Sequence, residues 1–297
     1  GADGTDFFEA ALANGINAFD TARVYMEAEH SFGNWLEKSG RREEVVILSK
    51  CGHPDAMWNK RVNEKEMRKD LKKSLEELKT DYIDIYMLHR DDPDTEVAVA
   101  VETFNAMHEE GNIGAFGASN WTHTRIEEAN EYAYKHNLIP FSVSSPNFCL
   151  ARQVEDPWGG GCVNISGPEN QEARAWYEKN QMPVIAYASL GRGFFSGRMK
   201  SEYADHAGDY LDSFAMTGYA CSDNFERLRR CEIIAEKHGV TVAQIAMNWI
   251  FSHPLNIFAI ASMSKADRMK ANREALLLQL SDEEIAYLNL ETPEFCG

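Results

Sequence analysis

Apolar residues recur along this chain in two rhythms. Short dense runs, such as VVILSK over Val45 to Lys50 and the apolar stretch within DYIDIYMLHRDDP from Asp81 to Pro93, predict strands buried on both faces, as in a parallel sheet covered by helices. Further strands are expected over Asn17 to Ala22, Ile113 to Asn120, Phe141 to Phe148, Pro183 to Leu190 and Asn256 to Met263. Between them the spacing is helical. Phe7 to Asn14 is closed by Gly15, Glu29 to Lys38 is broken at Ser39-Gly40, and Glu64 to Lys79 follows Asn63 as its N-cap. Asp94 is expected to cap a helix running to Glu110, and Thr122 to Asn137, Gln171 to Asn180, Asp223 to His238 and Thr241 to Phe251 complete the set.

Strands alternating with helices at this spacing imply parallel βαβ units with right-handed crossovers. An open dinucleotide-binding sheet would carry G-x-G-x-x-G directly after a strand, and the nearest cluster, Leu190-Gly191-Arg192-Gly193, lacks the third glycine. Polar residues instead close several different strands: Asp20, Lys50, His89, Ser119-Asn120, Ser144-Ser145 and Ser189. That distribution is expected of the catalytic face of a (β/α)8 barrel, an α/β fold. About seven strands are readable where closure takes about eight. The chain opens on a helix, so the first barrel strand is expected to be missing through truncation. One domain over residues 1–297 is expected, with a C-terminal helix and tail over 281–297.

Composition narrows the function. The 297 residues carry 47 acidic and 30 basic side chains, a formal charge of −17, which argues against nucleic acid as a partner because phosphate neutralisation needs a basic surface. Hydrophobic residues at 44% and charged residues at 26% describe a globular protein with a sizeable core. The six cysteines show no CxxC pair and no metal-ligand spacing, so reduced thiols and no metal site are expected. No apolar run reaches the roughly 18 residues of a membrane span, and a cytoplasmic protein is the expectation.

The strand ends then supply candidate chemistry. Asp20 and Tyr25 lie in FDTARVYMEAEH, Lys50 in VVILSKCG and His89 in IYMLHRDDP. On these residues the chain resembles the aldo-keto reductases, whose DTA-x-x-Y, strand-end lysine and strand-end Leu-His occur in this order. The resemblance implies a (β/α)8 barrel that binds NADP(H) and reduces aldehydes or ketones, sugar-like ones included. Tyr25 would be the general acid, Lys50 and Asp20 would tune it, and His89 would orient the carbonyl. The division of labour is physically sensible. A phenol titrates near about 10, a cation beside it favours the phenolate, and a buried lysine needs a carboxylate partner. A histidine N–H can stabilise the charge that develops on the carbonyl oxygen.

The resemblance also implies a cofactor site. Ser119 and Asn120 match residues that hold the nicotinamide carboxamide, and Ser145 stands where the family commonly has glutamine. Tyr187 matches the aromatic stacked on the nicotinamide, and Ala188, Ser189, Leu190, Gly191 and Arg192 match the loop that straddles the pyrophosphate. Ser264 and Arg268 match the reader of the adenosine 2′-phosphate and Asn272 the adenine contact; the family's lysine is absent at Ser262, where Lys265 is the candidate replacement, and NADPH is expected over NADH. Trp58, Trp121 and Trp158 are candidates for an apolar pocket holding a small carbonyl substrate, and the long loop from Ser196 to Ser222 is a candidate lid. Two other classes compete with an enzyme of this kind. One is a cofactor-binding redox-sensing or regulatory subunit resembling the potassium-channel beta subunits. The other is a metal-dependent barrel enzyme, for which only His89 lies on a strand end.

Overall fold

The computed structural model describes residues 4–262 and 266–293. These form two compact units, one ending at Ser145 and one beginning at Pro146.

In the first unit α-helices and strands alternate, with a short 3-10 helix (Arg42–Glu44) before the second strand: α1 (Thr5–Ala13), β1 (Ala18–Asp20), α2 (Ala28–Ser39), β2 (Val46–Cys51), α3 (Glu64–Leu78), β3 (Ile83–Leu88), α4 (Val97–Glu109), β4 (Ile113–Ser119), α5 (His123–Lys135) and β5 (Val143–Ser145). The five strands pair in sequence order, every pair parallel. Their register places Asp20 opposite Leu48, Lys50 opposite Met87 and Ser119 opposite Ser145. Because each strand runs the same way, the polar residues at their C-terminal ends share one edge of the sheet.

The apolar runs do what their density predicts. Ile83, Tyr86, Met87 and Leu88 are wholly buried, while Asp84 survives in the same strand because its carboxylate accepts from the Ile47 N–H and Arg42. Phe8, Phe32 and Trp35 stack on one another, with Phe19 against them, and this aromatic cluster fastens α1 and α2 to β1. Helix α2 then approaches α3 so closely that a Cβ on Gly33 would stand 2.0 Å from the Glu77 carbonyl oxygen. Gly117 is a similar case on β4, where a Cβ would meet the Val143 carbonyl at 1.8 Å.

The caps mostly follow expectation. Asn63 Oδ1 accepts from the Glu66 N–H at 3.0 Å and Thr122 Oγ1 from the Arg125 N–H at 3.2 Å. Asp94 does not cap α4: the helix begins at Val97 behind Glu96, which makes no side-chain cap. The preceding residues close a turn instead, the Thr95 N–H and hydroxyl both donating to Asp92. Pro93 favours that turn over an earlier helix start.

The second unit contains α6 (Gln171–Asn180), β6 (Val184–Ala186), α7 (Ser213–Tyr219), α8 (Ser222–His238), α9 (Val242–Phe251), β7 (Ile257–Ala259), α10 (Ala266–Ala275) and α11 (Asp282–Leu288). Strands β6 and β7 pair in parallel. Thr241 and Ser281 start α9 and α11 with complete capping boxes. The segment read as a bare loop from Ser196 to Ser222 holds a 3-10 helix (Ser201–Asp209) as well as α7, and Tyr203 stacks on Tyr210 within it.

Several strands are shorter than the runs that predict them. Ladder pairing in Phe141 to Phe148 is confined to Val143–Ser145, after which Pro146 offers no N–H. In Pro183 to Leu190 it stops at Ala186, two residues before Ala188 turns left-handed at φ 51°. The parallel strand and helix alternation is that of a (β/α)8 barrel lacking one strand. Among the described residues no helix is long and apolar enough to cross a membrane.

Candidate active site

Asp20, Tyr25, Lys50 and His89 all belong to the first unit, and its sheet brings them together. Pairing continues past the end of β1: the Thr21 N–H donates to Leu48 O and the Arg23 N–H to Lys50 O. The chain then turns, with the Tyr25 N–H bonded to Ala22 O, the Ala28 N–H to Tyr25 O, and Met26 between them at a left-handed φ of 45°. This turn holds Tyr25 at the rim, 41% exposed.

Lys50 lies beneath, 3% exposed. Its ammonium is ion-paired to Asp20 and donates to the Thr21 carbonyl at 3.1 Å, two acceptors that offset the cost of burying the charge. The same ammonium stands 5.4 Å from the centre of the Tyr25 ring.

His89 enters from β3, its N–H bonded to Cys51 O at 2.8 Å. Its ring meets that of Tyr25 edge to face, with centroids 5.5 Å apart. Burial, with the Lys50, His53 and Arg90 charges adding to it, pushes the imidazole well below the usual histidine range. A neutral imidazole at neutral pH can donate one hydrogen bond without being a proton source. Nδ1 is buried with no hydrogen-bond partner among the described residues.

Two supports carry no signal in the linear pattern. Glu29, on α2 and 1% exposed, is ion-paired to Arg23 and accepts from Ser49 Oγ at 2.6 Å. It thereby ties the turn that carries Tyr25 to the strand that carries Lys50. Asp70, on α3, accepts from the Gly52 N–H at 3.0 Å and from Arg61 through both oxygens. Arg61 also donates to the His53 carbonyl at 3.1 Å, so the loop after Lys50 is held at both ends.

That loop delivers His53. Its ring lies 4.9 Å from that of His89 and 6.3 Å from that of Trp58, extending the row that begins at Tyr25. Nδ1 is 2.9 Å from the Pro54 carbonyl, an acceptor only, so Nδ1 carries the proton. Burial lowers the His53 pKa. The contact depends on the Arg61 and Asp70 anchors, which spacing alone does not reveal.

The residues matched to a nicotinamide cofactor fall in both units. In the first, Ser119 Oγ donates to Ser145 O at 2.8 Å, and Asn120, at a left-handed φ of 60°, gives its two Nδ2 hydrogens to His89 O and Ser119 Oγ. Any contact from Asn120 to a carboxamide therefore runs through Oδ1, an acceptor suited to the ligand NH2.

In the second unit Trp158 meets Tyr187 edge to face at 5.5 Å. The turn from Ala188 to Gly193 has left-handed residues at Ala188, Gly191, Arg192 and Gly193, backbone suited to anion-binding nests. Arg192 is ion-paired to Asp212 and stacked over Phe214, and Leu190 is half-buried while the Ser189 hydroxyl donates to Ile260 O. Arg268 is exposed on α10 and Asn272 is half-buried one turn on, whereas Ser264 and Lys265 lie outside the described residues. Within this unit the left-handed turn is backbone of the kind that suits the phosphates of a nicotinamide cofactor.

Of the three tryptophans, Trp58 is 52% exposed and Trp121 is buried between Phe141 and the Arg125 guanidinium.

Comparison with known proteins identifies the family. A sequence model of the Aldo/keto reductase family matches residues 3–290. Similar proteins include Aldo-keto reductase str7 of Strobilurus tenacellus, 25% identical over 94% of this chain and 77% of that protein. Protein tas of Escherichia coli K12 is 28% identical over 96% and 88%, and Aryl-alcohol dehydrogenase GME11368 of Pestalotiopsis microspora is 26% identical over 91% and 67%. The strand ends, the buried lysine with its carboxylate and the match along nearly the whole sequence together show that this chain belongs to the aldo/keto reductase family of oxidoreductases.

Proposed function

We propose that the chain reduces a small aldehyde or ketone to the alcohol, using NADPH in preference to NADH, as a cytoplasmic enzyme. The observation that carries this reading is the meeting of Tyr25, the Lys50–Asp20 pair and a neutral His89 around one point at the rim of the sheet. When bound, the cofactor supplies hydride to the carbonyl carbon.

The protein supplies position and a proton. The His89 imidazole, held neutral, donates a hydrogen bond to the carbonyl oxygen as negative charge grows there. Tyr25 gives its phenolic proton to the same oxygen. Lys50 stabilises the phenolate left behind, and Asp20, ion-paired to Lys50, holds it in place. Ser119, Asn120 and Ser145 would hold the carboxamide, Tyr187 would face the nicotinamide, residues 188–192 would hold the pyrophosphate, and Arg268 with Ser264 and Lys265 would read the 2′-phosphate. Asn272 contacts the adenine. Trp58, beside His53, supplies apolar surface for the substrate, whereas Trp121, buried against Phe141 and Arg125, does not.

The test is loss of NADPH absorbance with a panel of aldehydes and ketones, beside fluorescence titration with NADPH and NADH. Tyr25→Phe is expected to lower kcat/KM by roughly 100- to 10,000-fold, the range of a lost general acid, with NADPH affinity unchanged. Tight NADPH binding with no turnover of any carbonyl in the wild type would overturn the reading.

A further inference from the structure

The second unit contains a cavity of about 250 Å³ whose lining includes Arg152, Arg174, Arg227, Trp249 and His253. None of these belongs to the residues assigned above to substrate or cofactor. Arg227, on α8, is 7% exposed, and its guanidinium donates to Asn224 Oδ1 at 3.2 Å. Arg174, on α6, is half-buried and donates to the carbonyls of Ile165 and Gly167, each at 2.6 Å. Among the described residues neither guanidinium has a carboxylate within ion-pairing distance; Asp223 and Glu169 act on them only through space.

The remaining charges do not close the account. Arg152 is paired with Glu169 at 3.1 Å, and Glu291, which also lines the cavity, is exposed and accepts from Asn289 Nδ2. His253 donates from Nδ1 to Trp249 O at 2.9 Å, and burial keeps it on the neutral side. Two buried or half-buried cations thus face one cavity without a paired anion, in a chain whose net charge is −17. Guanidinium groups do not shed their proton to relieve such a burial. Burying a cation without a counter-charge is unfavourable, so an anion from outside is the natural complement.

We propose that this cavity binds a phosphoryl dianion, either inorganic phosphate or the phosphate of a small monoester, with Arg174 and Arg227 as its guanidinium ligands and Trp249 as an apolar wall. Two cations match two negative charges, and the guanidinium fork fits the oxygens of a tetrahedral anion in pairs. The volume exceeds the roughly 30 Å³ share of one water severalfold, leaving room for a small organic group beside the phosphate.

The test is calorimetric titration of the full chain with inorganic phosphate and, separately, with glycerol 3-phosphate. Ionic strength is fixed with chloride, and NADP+ is present at saturation so that any phosphate subsites of the cofactor are filled. Saturable one-site binding is expected, weakened at least about tenfold in Arg174→Gln and in Arg227→Gln, the scale of one charge-assisted hydrogen bond. Should Arg227→Gln fail to fold, Arg174→Gln, at a half-buried position, carries the comparison alone. Tighter binding of the monoester would assign the cavity to a phosphorylated metabolite, and equal or tighter binding of inorganic phosphate to the free ion; both support the shared chemistry. No saturable binding of either probe, or unchanged affinity in Arg174→Gln, overturns the proposal.

Discussion

Lys50 and Arg227 are both cations with less than a tenth of their surface exposed, and the protein treats them in opposite ways. Lys50 has a carboxylate, Asp20, and a main-chain carbonyl in contact. Arg227 has an amide oxygen. A lysine that must stay charged and fixed is compensated from within, so its position is independent of what binds. An arginine left uncompensated is at its most favourable only when an outside anion arrives. The contrast separates groups that act from groups that wait.

The comparison breaks most directly at Asp20. Asp20→Asn leaves the Lys50 ammonium buried without its counter-charge, and unfolding in urea is expected to show a loss of about 3 kcal/mol, the lower end for stripping one partner from a buried pair. A loss under about 1 kcal/mol, the scale of a surface pair, would mean that the pair behaves as exposed. Glu29→Gln should follow at about 2 kcal/mol, because Arg23 loses its ion pair while a hydrogen bond to Ser49 can persist. It should also depress kcat by loosening the turn at Tyr25, and full activity at reduced stability would separate the two roles.

A smaller effect concerns protons. The folded pKa of His89 lies well below the ordinary histidine value of about 6.5, so the unfolded chain binds the extra proton first. Stability is therefore whole above about pH 6.5, falls as pH drops through that value, and stops falling below the depressed folded pKa. Each unit of difference is worth about 1.4 kcal/mol. Urea midpoints between pH 7.5 and pH 5 should fall less steeply in His89→Asn than in the wild type, the residual slope belonging to His53 and His253, which are shifted the same way. Equal slopes would place the acid sensitivity elsewhere.

Smallest of all is the expected loss in Arg227→Met without added anion: stability should be unchanged or higher, because replacing a buried, unpaired cation by an apolar chain of similar length is neutral or stabilising. That mutation removes a cation that has no ion pair to lose. A loss of 3 kcal/mol or more would show that Arg227 is compensated after all.

Much of this was readable from residue order. The dense runs before Lys50 and His89 specify β2 and β3, because burial on both faces demands apolar side chains at consecutive positions. Runs around Val143, Val184 and Ile257 extend beyond their paired residues, since Pro146 and the left-handed Ala188 end regular pairing while neighbours such as Phe148 remain buried in loops. Asp20, Tyr25, Lys50 and His89 were legible because each closes or closely follows a strand. His53 and Glu29 were not, as their contacts are set by Arg61, Asp70 and Arg23 across the fold. The arginine cavity draws on residues from Leu150 to Glu291, far too dispersed to form a motif.

Gly33 carries a consequence for how replacement elsewhere would reach the rim of the sheet. Helix α2 brings Glu29 to the Tyr25 turn, and α3 brings Asp70 to the loop bearing His53; the separation of the two helices is set where Gly33 meets the Glu77 carbonyl. Any side chain at that crossing would wedge the helices apart and displace both anchors at once. A single hydrogen atom in place of a methyl group thus acts as the spacer that keeps two otherwise separate loops in alignment.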